Sequence, residues 1–79
     1  NYQYMNIGDL VKFIGTTQLY FHFPTDEWYN INEGECGLII NIEKTHGEFV
    51  YRVKMMDGKK SICWLYEDEL CLLSGSDDE

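Results

Sequence analysis

The side chains most able to hold a metal or act as nucleophiles are Cys36, Cys63 and Cys71, together with His22 and His46. Zinc sites draw on ligands paired at short spacings such as Cys-x-x-Cys. These cysteines are scattered and meet only if separate strands bring them together. Buried thiols serving as small hydrophobes account for them better. Ser61 and Ser74 have no histidine partner near them in sequence. Glu67 and Asp68 follow Cys63 closely, and carboxylates oppose thiolate formation instead of promoting it. The expectation is a chain with no catalytic constellation, no metal and no cofactor: a non-enzymatic protein.

The residues that stand out are aromatic. Tyr20, Phe21, His22, Phe23, Trp28 and Tyr29 crowd into one short stretch, and Trp64 and Tyr66 stand two apart farther on. Two readings are open for the first group: rings folded back over the core, or a platform for a partner, since interface anchors are enriched in Trp and Tyr. The expected protein-binding residues are Tyr20, Phe21, Phe23, Trp28, Tyr29 and Tyr66. Trp64 reads as a core residue whose ring N–H finds a partner inside the domain.

Those rings need elements to position them. Residues 9–14 read as a first strand, with apolar β-formers broken by Asp9 and Lys12. Residues 15–34 form a long excursion with room for a short irregular hairpin, and long loops in small domains are often functional. Residues 36–43, 48–56, 59–65 and 70–73 read as further strands. In residues 48–56 the side chains of Phe49, Tyr51, Val53 and Met55 share the expected core face. Turns are expected at residues 45–47, at Asp57-Gly58, which is the strongest hairpin signal in the chain, and as a 3₁₀ turn at residues 67–69. Residues 6–73 make the expected domain and residues 74–79 an acidic disordered tail. A five-stranded sheet of this size must hide its edges, and closure into a small barrel does so.

Length and charge narrow the rest. Seventy-nine residues make one domain, and such a chain buries only about 60% of its unfolded surface. Fourteen acidic residues against six basic ones give a net charge of −8, still −5 without Asp77, Asp78 and Glu79. That balance opposes phosphate backbones, so nucleic acid is an unfavoured partner. Arg52, Lys54, Lys59 and Lys60 are the candidates for a local basic patch. Acidity fits solubility, a basic protein partner or mimicry of a polyanion. The odd cysteine count, with no secretory signal read at the start, points to a reducing, cytoplasmic compartment. No apolar run approaches a membrane span.

The element order resembles that of SH3-like small barrels. Gly8-Asp9-Leu10-Val11 followed by Gly34-Glu35-Cys36-Gly37-Leu38-Ile39 is similar to the Gly-Asp-x-Val … Gly-x-x-Gly-x-Ile frame of barrels of the KOW type. Glu67-Asp68-Glu69-Leu70 looks like the segment before the last strand in several such barrels, among them small photosynthetic subunits that dock ferredoxin. The resemblance covers residues 6–73 and implies an all-β, five-stranded SH3-like barrel with a long first loop. In length and style the chain is also similar to small accessory proteins of tailed bacteriophages, which would place it in the host cytoplasm or the virion. The KOW-type RNA binders and the ferredoxin-docking subunits are basic where this chain is acidic.

The expectation for function is a protein-interaction or structural accessory module, a phage virion component in the reading just given, with a protein partner or a second copy of itself and no membrane. The alternatives are a nucleic-acid or ribosome-associated KOW-like module, and an acidic inhibitor of a host protein.

Overall fold

In the computed structural model, residues 5–22, 25–56 and 62–74 are described. Among the described residues seven strands form: β1 (Leu10–Phe13), β2 (Gln18–His22), β3 (Glu27–Ile31), β4 (Cys36–Thr45), β5 (Glu48–Met55), β6 (Ile62–Tyr66) and β7 (Leu70–Ser74), with a 3₁₀ turn at Glu67–Glu69. Five of them make one antiparallel sheet in the order β6-β5-β4-β1-β7, and β2 and β3 make a separate two-stranded sheet.

The hydrophobic alternation sets which face is buried. Tyr51, Val53 and Met55 of β5 are buried, with Phe49 half-buried at the strand's start. Register carries that phase to the neighbours: Tyr51 pairs with Leu65 and Val53 with Cys63 in β6, while Ile39 pairs with Val53 in β4. The core joins these to Met5, Val11, Phe13, Ile31 and Leu70. A bulge between Ile39 and Asn41 lets β4 keep Ile39 and Ile42 on the inner side.

The closed five-stranded barrel expected from the sequence does not form, and the resemblance to SH3-like and KOW-type barrels falls with it. Both sheets are open. The ladders of β6 run to β5 and those of β7 to β1, and no ladder joins β6 to β7 among the described residues. The reason lies in what occupies the β6 edge. Tyr20 of β2 donates its hydroxyl proton to the Trp64 carbonyl at 2.9 Å, and the Tyr66 N–H donates to Glu69 Oε1 at 2.9 Å. Side chains thus take edge groups that a barrel would give to another strand. The β2–β3 hairpin covers the open side of the core in place of closure, placing Ile31 (fully buried) and Tyr29 beneath it.

The excursion over residues 15–34 is therefore no irregular loop. It contains a regular hairpin with register from Gln18↔Ile31 to His22↔Glu27. The Gln18 side-chain amide donates to Glu69 Oε2, and the Ile14 N–H donates to the Glu69 carbonyl at 2.8 Å, which ties the hairpin's root to the 3₁₀ turn. The expected 3₁₀ turn falls where the sequence placed it. The Asp57-Gly58 turn and the segment after Ser74 lie outside the described residues. No helix among the described residues is long and apolar enough to cross a membrane.

Candidate protein-binding surface

Period-two alternation sorts the aromatic segment into two sides. Tyr20 and Tyr29 are register partners, so they share the inward side. Tyr29 is buried, with its hydroxyl 3.2 Å from Thr25 Oγ1, and Tyr20 packs against the core. Burial pushes the Tyr20 phenol far above its ordinary 10.0, and the charge of Glu69 adds to the rise. Both tyrosines hold the hairpin down and present little to a partner.

The outward side is different. Trp28 is 63% exposed and Leu19 61% exposed. Phe21 is the register partner of Trp28. Asp26 and Glu27 precede Trp28 in the chain and are exposed, Glu27 on the opposite side of the strand from Trp28 and Asp26 at φ 55° in the turn, a conformation that Asp tolerates better than most residues. The hairpin tip is thus apolar and acidic at once. Phe23 lies outside the described residues.

A second surface was not read from the sequence. Trp64, expected in the core, is exposed at the outer face of the large sheet, because the phase set by Val53↔Cys63 and Tyr51↔Leu65 turns Trp64 and Tyr66 outward. Cross-strand rows fix their neighbours: Trp64↔Arg52↔Asn41 forms one row, Tyr66↔Val50↔Glu43 the next, and Ile62↔Lys54↔Leu38↔Leu10 a third. The Arg52 guanidinium lies over the Trp64 ring at 5.7 Å, a cation–π contact. Its Nε is buried and has no hydrogen-bond partner among the described residues. Lys12 lies on the same face, opposite Cys36 and Cys71. Three of the chain's six basic residues therefore stand on this one face, and the acids that share it on the strands are Glu43 and Glu48, toward the β4–β5 turn. The missed signal was the strength of the inward phase in β5. Once Tyr51 and Val53 are inside, Trp64 has to be outside.

Among the described residues no group of three or more His, Cys, Asp or Glu side chains is placed to hold a metal. Cys36, Cys63 and Cys71 are not disulfide-bonded, and are half-buried, buried and exposed in turn. An open groove beside the β4–β5 turn is lined by Asn6, Ile7, Ile42, Glu43, Lys44 and Phe49, with Lys44 Nζ 5.4 Å over the Phe49 ring. It stands apart from the aromatic residues singled out above.

No family model, curated protein or solved structure matches the chain. The similarity to small tailed-phage accessory proteins accordingly finds no support in any relative, and the virion reading is withdrawn with the barrel.

Proposed function

We propose that this chain is a non-enzymatic protein-binding module. The observation that carries the reading is the pair of tryptophans exposed on paired strands, Trp28 on the hairpin and Trp64 on the sheet. Exposed tryptophan on an ordered strand offers large contact area at low entropic cost, which is what binding hot spots use. Leu19 beside Trp28, and Leu38 and Tyr66 around Trp64, enlarge each anchor into an apolar patch with charged neighbours.

A photo-crosslinking residue placed at position 28, at position 64 and at the exposed control position Thr45 tests the reading in the cells that make the protein. The expected result is protein adducts from positions 28 and 64 and none from Thr45. Nucleic acid is the second reading, favoured by Arg52 and Lys54 beside exposed rings, since rings and cations together bind single strands. Adducts of position 64 to RNA or DNA would replace the protein reading with that one. Equal labelling at all three positions would sink both.

A further inference from the structure

The two patches differ in charge, and the difference is complementary. The hairpin carries Asp26 in its turn and Glu27 at the turn end of β3, next in the chain to exposed Trp28, with exposed Leu19 nearer the root on the side of Trp28. The sheet's outer face sets Arg52 and Lys54 among Leu38, Trp64 and Tyr66. We propose that the chain associates with itself head to tail, the acidic apolar hairpin tip of one copy seating on the basic apolar sheet face of the next. This rests on the reading of both patches as protein-binding surfaces and names their occupant.

Three considerations select a second copy. Each copy carries both halves of the contact, so every molecule supplies a ligand and a receptor. A two-fold contact of one patch with itself would set Arg52 and Lys54 against their own equivalents, or Asp26 and Glu27 against theirs, and like charges face to face are unfavourable. A contact between different patches has no such conflict: it closes as a reciprocal pair when both contacts form between the same two copies, into a larger ring when the rotation allows, and otherwise extends. The repulsion between copies of net charge −8 is screened beyond about 8 Å at physiological ionic strength, so the charges in contact decide the outcome.

A charge-swap experiment tests this on the full chain by light scattering over a concentration series. The wild-type mass should rise with concentration from the 9.3 kDa of one chain to that of a dimer or beyond. Variant one, Asp26→Lys with Glu27→Lys, has two basic patches. Variant two, Arg52→Glu with Lys54→Glu, has two acidic ones. Each alone should weaken association more than about tenfold, because every contact becomes like-charged. An equimolar mixture should assemble again, as an alternating array in which each contact pairs opposite charges. Lys54→Glu alone replaces variant two if the loss of half-buried Arg52 impairs folding, which circular dichroism reports. A wild type that stays monomeric, variants that assemble like the wild type, or a mixture that fails to recover would each overturn the proposal. A monomeric wild type that still crosslinks a different protein at positions 28 and 64 overturns self-association alone and leaves the binding-module reading standing.

Discussion

Tyr20 joins two sheets through one hydroxyl. Its O–H donates to the Trp64 carbonyl, and burial together with the Glu69 charge holds the phenol protonated well above its ordinary range. Tyr51 is held in the same direction, by burial first and then by Glu67 and Asp9, with the Met5 backbone opposing. In the unfolded chain both phenols ionise near pH 10. Because both folded-state values are raised, this contribution to stability is complete below about pH 10 and declines as pH rises beyond it, where only the unfolded chain releases these protons. Urea unfolding at increasing alkaline pH should therefore show a falling midpoint. Tyr20→Phe should make that fall shallower while costing about 0.5–1.5 kcal/mol at neutral pH through the lost hydrogen bond. Phenolate absorbance should show at least two of the six tyrosines ionising only as the fold opens. A midpoint flat across the alkaline range would refute the assignment.

At the scale of elements, what the sequence disclosed and what it hid have separate physical causes. Strands β4, β5 and β7 and the 3₁₀ turn were legible because apolar alternation and turn residues agree there. The hairpin was half-legible. Gln18-Leu19-Tyr20-Phe21-His22 carries apolar residues on both sides of the strand, so no alternation marks an inner face, and only the pairing Tyr20↔Tyr29 assigns one. Barrel closure was inferred from the need to hide edges, and that need is met at β6 by Tyr20 and Glu69 instead. Side chains that satisfy an edge across the fold leave no periodic trace in sequence. The glycine frame was legible for a sound reason even though the family it suggested was wrong. A Cβ on Gly37 would lie 2.5 Å from Val53 Cγ1 and 2.9 Å from the Lys54 carbonyl oxygen, at the end of the β4–β5 ladder where Gly37 pairs with Met55. Gly37→Ala should cost about 1–3 kcal/mol by overpacking. The urea midpoint should drop with an unchanged slope, and a midpoint equal to wild type would show that β4 moves freely enough to absorb the methyl group.

Across the whole molecule, the two sheets are joined by different kinds of interaction from those within them. The large sheet is held by backbone ladders, whereas the hairpin is held to it by buried side chains, by the Tyr20 hydroxyl and by Glu69. Opening the hairpin exposes Ile31 and Tyr29 but breaks no ladder of the large sheet. Such a unit opens at a lower free energy than the sheet it covers. Native-state hydrogen exchange should show amides of the β2–β3 ladder exchanging through a local opening, ahead of those in β4 and β5. Glu69→Ala should widen the gap. It removes the acceptor of Gln18 and that of the Tyr66 N–H, each hydrogen bond to a charged group contributing about 1.5–3 kcal/mol before solvent exposure lowers that figure. The Glu69 carbonyl still takes the Ile14 N–H, which anchors the strand before the hairpin. Hairpin protection should fall more than protection in β4–β5. Equal losses in both sheets would mean one cooperative unit, with the hairpin as firmly part of the core as β5. A separately opening hairpin also bears on binding, since Trp28 is displayed only while Tyr20 and Glu69 hold that hairpin closed, and a copy seated on it would slow its exchange selectively.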